Sequence, residues 1–145
     1  MSNDVAMSEQ ARANLAKVNR AYAAIATNDV ENFVKEFDEY AILSPECLPY
    51  GGPFEGKEGL IRGMYATVDA WDDRSMEIET MLANDEMVVA VATFIGTGKP
   101  TGMHVRFPFH AVWRFRDGKL VSLQPIYGDT ALVLEALKGY VPPKR

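Results

Sequence analysis

Cysteine is all but missing from this chain: Cys47 is the one instance among 145 residues, so no internal disulfide can form and no thiolate cluster can hold a metal. Alone, it reads as a small buried hydrophobe. Histidine is nearly as scarce, and the only two, His104 and His110, have no neighbouring carboxylate at ligand spacing, which makes a poor metal site. Also missing is any window near the roughly 20 apolar residues that a membrane span needs. The opening MSNDVAMSEQ is acidic and polar, without the basic start and apolar run of a secretory signal. The expected compartment is the cytoplasm, with no membrane partner. Basic clusters are absent as well: 15 Lys and Arg against 20 Asp and Glu give a net charge of −5, and the positive residues are scattered, which argues against nucleic acid. Arg12, Lys17 and Arg20 share their segment with Glu9 and read as a solvated helix face.

What remains is an ordinary globular composition, 48% hydrophobic and 24% charged. A chain of this length fits one domain that buries about two thirds of its unfolded surface. A single domain over 1–145 is expected, with its core at about 8–138 and tails at 1–7 and 140–145. No internal repeat or interdomain linker interrupts it.

Along the chain, Ala11, Leu15, Val18, Tyr22 and Ile25 recur at steps of four and three, the stripe of an amphipathic helix with Ser8 as N-cap. Asp29 caps a second, short helix carrying Val30, Phe33, Val34 and Phe37 on one face. A first strand is predicted over Tyr40 to Leu43, halted by Pro45, and the stretch LPYGGPFEG forces turns. A third helix follows Gly56, with Leu60, Ile61, Met64, Val68 and Trp71 as its stripe. Gly59 and Gly63, four apart on it, leave a flat patch for a close approach by sheet backbone or ligand. From Ser75 the period becomes 2, with Met76, Ile78, Thr80 and Leu82 on one face. MVVAVATFIG is apolar on both faces and is expected to be covered on both sides, which points to a homodimer through the outer sheet face. A long strand MHVRFPFHAVWRFR follows, with a bulge expected at Pro108, and Asp117-Gly118 turns the chain into KLVSLQPIYGD. Thr130 to Leu137 returns to helix, ended by Gly139 and Pro142-Pro143. The fold class is α+β, a curved, mainly antiparallel sheet wrapped around a long N-terminal helix, and one helix cannot fill the concave side of such a sheet. A conical pocket is the consequence.

This order, with FDEYAILSPE, LPYGGPFEG and the ending RDGKLVSLQPIYGD, resembles the SnoaL-like branch of the nuclear transport factor 2 superfamily. Other members of that superfamily are ketosteroid isomerases, polyketide cyclases and limonene epoxide hydrolase. The resemblance covers about residues 10–138 and implies the cone-shaped fold. For chemistry it implies less, because one scaffold hosts many activities. Set on the ketosteroid isomerase pattern, Ala111 stands where the protonated acid belongs and Cys47, beside Glu46, where the base belongs, while Tyr22 lies within one residue of the helix-one tyrosine. Tyr127-Gly128-Asp129 resembles the terminal aromatic-any-aspartate motif of limonene epoxide hydrolase, so Asp129 matches one of its two aspartates. The arginine and the other aspartate of that enzyme would fall near Ala92 and Phe94.

Two readings of Asp129 stand at this point. It shares strand parity with Val121, Leu123 and Tyr127, which would carry it into an apolar pocket as a general acid or base; alternatively it only caps the terminal helix. His110 would assist as an acid–base partner if a bulge at Pro108 turned it inward, and Glu46 is either the displaced isomerase base or a solvated loop acid. Tyr22, Tyr50, Met64, Trp71, Phe109 and Tyr127 are the expected ligand contacts or core aromatics, Tyr50 at the pocket mouth. A small apolar molecule is the expected partner and no cofactor is called for. The implied function is a cofactor-independent isomerase, cyclase or hydrolase acting on a polycyclic, terpenoid or aromatic ligand. A non-catalytic binding or assembly module is the alternative.

Overall fold

Ser8 begins the first helix as the pattern predicts, its hydroxyl accepting the Ala11 N–H at 3.0 Å. The computed structural model describes residues 7–45 and 48–143, so the expectations for Glu46 and Cys47 lie outside the described residues. Helix α1 (Glu9–Ala26) buries Ala11, Asn14, Val18, Ala21 and Ile25, with Leu15 and Tyr22 partly buried at its flanks. Asn14 departs from the apolar pattern and is fully buried. Its amide accepts from Gln10 at 2.8 Å and donates to the carbonyls of Asn84 and Asp85 at 3.1 and 2.9 Å, so a buried polar group is satisfied by the turn that it anchors. Asp29 caps α2 (Val30–Lys35), accepting from the Asn32 N–H at 3.2 Å.

Strand β1 (Phe37–Leu43) starts three residues earlier than predicted, because Phe37 is buried and pairs with Leu120. After the proline and glycine loop, β2 (Phe54–Glu55) pairs back on β1 and α3 (Gly56–Ala70) follows. The flat patch on α3 takes a side chain of the sheet: a Cβ on Gly63 would stand 2.5 Å from Phe54 Cδ2 and 2.8 Å from Leu43 Cδ2. Trp71, expected to close the stripe of this helix, instead opens β3 (Trp71–Ala83) with extended backbone. Strand pairing wins over helix periodicity here, because Trp71 pairs with Gly98 and its ring meets Phe94 at 4.9 Å.

Strands β3, β4 (Met87–Gly98), β5 (His104–Arg116) and β6 (Lys119–Tyr127) form an antiparallel meander, and β6 pairs in parallel with β1. The six-stranded order is β2-β1-β6-β5-β4-β3. It is an α+β fold with a curved, unclosed sheet and an N-terminal helix. Three departures from the expected alternation matter. In β3 the pairing shifts between Asp72 and Ser75 and again between Ile78 and Thr80, and an extra residue flips everything after it to the other face. Met76 therefore looks inward while Leu82, expected beside it, is 62% exposed. In β6 the extra residue is Val121, so Leu120 and Leu123 are the buried pair and Val121 is not. At Pro108 no bulge forms: β4 and β5 pair without interruption from Met87↔Arg114 to Thr97↔His104. The proline is tolerated because its carbonyl accepts from Gly128 at 2.7 Å. Its missing N–H would have faced the same neighbour, just where β6 ends.

Strand β4 alternates strictly: Val88, Ala90, Ala92 and Phe94 are buried, while Val89, Val91 and Ile95 are half-buried on the outer face. Helix α4 (Thr130–Ala136) buries Val133 and Ala136, and no described helix is long and apolar enough to cross a membrane.

The Asn14 link generates a stability prediction. Asn14→Ala leaves the Asn84 and Asp85 carbonyls without their donor, and unfolding in urea should show a loss of about 1–3 kcal/mol. An unchanged midpoint would mean that water replaces the amide.

Candidate functional site

The curvature of β3 to β6 leaves a space between the sheet and the three N-terminal helices. Its walls are Tyr22 and Ile25 of α1, Phe33 of α2, Met64 and Thr67 of α3, Leu43 of β1, Pro45, and the inward residues of the meander, among them Phe94, Phe109, Ala111, Trp113, Leu123 and Tyr127. Trp113 closes the narrow end, with ring centroids 5.1 Å from Tyr22, 5.9 Å from Phe33 and 5.8 Å from Phe37. At the other end Phe94 stacks on Phe107 at 4.9 Å and Phe109 meets Tyr127 edge-on at 5.0 Å. The free volume is about 60 Å³, below the ~150 Å³ of a cavity that takes benzene. A ligand larger than a few waters therefore has to displace wall atoms, and the flexible thioethers of Met64 and Met76 are suited to that.

Polar groups in this wall are few. Trp113 donates its indole N–H to the Tyr22 hydroxyl at 3.1 Å, and Trp71 donates to the Tyr50 hydroxyl at 2.7 Å, the partners that buried indoles require. The Tyr50 hydroxyl stands close to that of Tyr127. Burial pushes the Tyr50 phenol up to about 12 and raises those of Tyr22 and Tyr127 further above the ordinary tyrosine range, since a phenolate has no water to solvate it there. Arg74 supplies the cavity's cationic group, and burial lowers its pKa from the ordinary guanidinium value. It donates through Nη2 to the Ile25 carbonyl at 2.8 Å and to Asn28 Oδ1 at 2.6 Å, at the C-terminal end of α1 where the helix dipole favours positive charge. Among the described residues no carboxylate lines the cavity.

The residues singled out in the sequence divide accordingly. Tyr22, Met64, Phe109 and Tyr127 line the cavity. Tyr50 does not stand at its mouth: it is buried behind Tyr127, edge-on to Tyr140 at 6.3 Å. Trp71 is likewise one layer back, against Phe94. Asp129 is exposed and caps α4, accepting from the Leu132 N–H at 3.1 Å. The bulge that shifts β6 lies at Val121, upstream of it, and the strand ends before it. His110 pairs with Val91 and Ile126 on the outer face, because the unbroken register at Pro108 leaves it opposite to Phe109 and Ala111. Glu46 lies outside the described residues. Arg74, Thr67, Ser75 and Met76 were missed, and the only trace in the sequence was the Asp-Asp pair at 72–73 preceding an arginine at the change of period.

The fold and cone define a class of small domains with one curved sheet, and comparison with known proteins agrees. The SnoaL-like domain family matches residues 18–123. The chain belongs to the SnoaL-like family. An NTF2-like protein of unknown function from Burkholderia pseudomallei superposes with a TM-score of 0.79 at 21% identity, over 88% of this chain and 98% of that one. A putative SnoaL-like polyketide cyclase from a Jannaschia species gives 0.80 at 14% identity, over 94% and 99%. A putative isomerase from Bacillus subtilis gives 0.76 at 20% identity, over 94% and 100%. No curated protein matches the chain.

The tyrosines provide a check on this geometry. Tyr22, Tyr50, Tyr127 and Tyr140 all have raised phenol pKa values, so absorbance at alkaline pH should show them ionising only above the ordinary value of about 10. Because the unfolded chain releases these protons first, the stability tied to the neutral phenols is fully present below about pH 10. It is lost as pH rises from there through the folded value of about 12 for Tyr50. Ionisation of all the tyrosines near pH 10 with the fold intact would contradict the burial.

Proposed function

We propose that the protein binds a small, largely apolar aromatic molecule in the cone. The observation that carries this is the cavity itself, walled by aromatic and aliphatic side chains with a few hydroxyl groups and one guanidinium. Such sites fix orientation through a small number of polar groups in an apolar wall. The volume favours a single ring over the polycyclic skeletons that the family resemblance first brings forward.

A second reading is a cofactor-independent isomerase, cyclase or hydrolase, and the hydroxyl groups of Tyr22 and Tyr127 in the same wall as the Arg74 guanidinium favour it. Hydroxyl donors beside a guanidinium in a dry site stabilise negative charge developing on a substrate oxygen. Asp129 and His110 have no part in this chemistry as placed, one capping α4 and the other facing outward. A homodimer is proposed through the outer face, where Leu82 and Ile126 are 62% and 45% exposed beside half-buried Val89, Val91 and Val112. The compartment proposed is the cytoplasm.

Two measurements follow. In a thermal-shift screen of single-ring aromatic alcohols, amides and acids, a ligand at a hundredfold excess over its Kd adds about 2.7 kcal/mol, a rise of several degrees for a chain of this size. Ala111→Leu, which fills the cavity from β5, should abolish that rise, whereas Asp129→Asn should keep it, since asparagine caps helices as well as aspartate. A shift lost in Asp129→Asn and kept in Ala111→Leu would move the site to the end of β6. For the dimer, sedimentation velocity should show the mass of the wild type halved in the double variant Leu82→Glu/Ile126→Glu; a monomeric wild type would end that proposal.

A further inference from the structure

Arg74 is carried into the cone by a local irregularity. Its strand neighbours Trp71 and Asp72 pair with Gly98 and Thr97, yet Ser75 pairs with Ile95, so Asp73 and Arg74 together face Gly96. Asp73 adopts a φ of 50° there, a left-handed conformation that side chains rarely take. A bulge beside a site re-aims a side chain, and here it turns a guanidinium into an apolar wall. The charge has no carboxylate to answer it. Among the described residues the ion pairs are Arg20–Glu36, Lys99–Asp69 and Arg106–Glu77. Asp69, Asp72 and Asp73 border an outer groove that Arg74 shares, and none of them forms an ion pair with it. Its two hydrogen bonds, both from Nη2, go to uncharged acceptors, and Nε is buried with no hydrogen-bond partner.

One further polar group of the wall has the same sense. The Tyr22 oxygen already accepts from Trp113, which leaves its O–H to donate, and a guanidinium has only donors. The cavity thus offers positive charge and hydrogens, and a carboxylate is the group that answers both.

We infer that the ligand of this cavity is an aromatic anion, a ring bearing a carboxylate, with Arg74 as its counter-charge and Tyr22 as a further donor. This rests on the cone being a ligand site, and it adds the charge of the occupant. The anion completes a partly buried cation that has no ion-pair partner, so charge sets the preference between ligands of one size.

The test is titration calorimetry of the folded protein at neutral pH with two isosteric pairs, benzoate against benzamide and 2-naphthoate against 2-naphthamide. Wild type should bind the carboxylate of a pair at least tenfold more tightly than the amide. Arg74→Met should lose that preference, and Arg74→Lys, which keeps the charge, should retain part of it. Equal binding of acid and amide by wild type overturns the anion assignment and leaves the cavity reading standing. A preference that survives in Arg74→Met overturns the assignment to Arg74. Binding of none of the four compounds overturns the cavity reading, and this inference with it. Because the first comparison is made on wild type alone, a variant that fails to fold does not shield the proposal.

Discussion

Inside the cone each of the two tryptophans gives its indole N–H to a tyrosine, Trp113 to Tyr22 and Trp71 to Tyr50. A buried indole needs an acceptor, and the tyrosine oxygens supply it. The concave face of a six-stranded curved sheet is too broad for α1 to cover. The large aromatics that make up the difference bring N–H groups with them, and the tyrosine oxygens absorb these. What is left over is a set of O–H donors. The polarity of the cavity is in this sense a by-product of how the fold fills its own interior.

The same compromise explains why the wall is soft in some places and rigid in others. Trp113 is held by Tyr22, Phe33 and Phe37, three elements that cannot move independently. Across the space stand Met64 and Met76, whose unbranched side chains repack at little expense. A ligand of the kind proposed would enter from the methionine side, with the aromatic end serving as a fixed stop.

Much of the fold was legible in the sequence because it depends on local rules. Ser8 and Asp29 mark helix starts, Asp117-Gly118 marks a hairpin, and a run apolar on both faces marks β4. The errors in which strand side chains face inward share one cause, which is register. Each of the extra residues in β3 and β6 reverses which side chains face inward, and nothing in local composition announces a residue that the partner strand leaves unpaired. Pro108 was the visible suspect, yet the bulges fall at Asp73–Arg74, Glu79 and Val121. Of the expected pocket residues, Tyr22, Met64 and Phe109 came from elements whose phase was read correctly, and Tyr127 lies beyond the bulge at Val121, in phase with Leu123. Arg74 was invisible because its inward direction is set by the conformation of the residue before it.

The parallel pairing of β1 with β6 joins parts of the chain that are distant in sequence, Phe37 meeting Leu120, while the other long strands pair with their immediate successors. Ends roughly eighty residues apart pay a larger loop-closure entropy than a hairpin does, and such non-local pairing slows folding. The β3 to β6 meander can assemble from neighbouring hairpins, so sequence separation favours its forming before β1 docks with the helices on either side of it. Until that step the aromatic wall carried by the meander lies open to solvent, a sticky surface during synthesis. In that order of assembly, the cavity would be the last part of the molecule to come into existence.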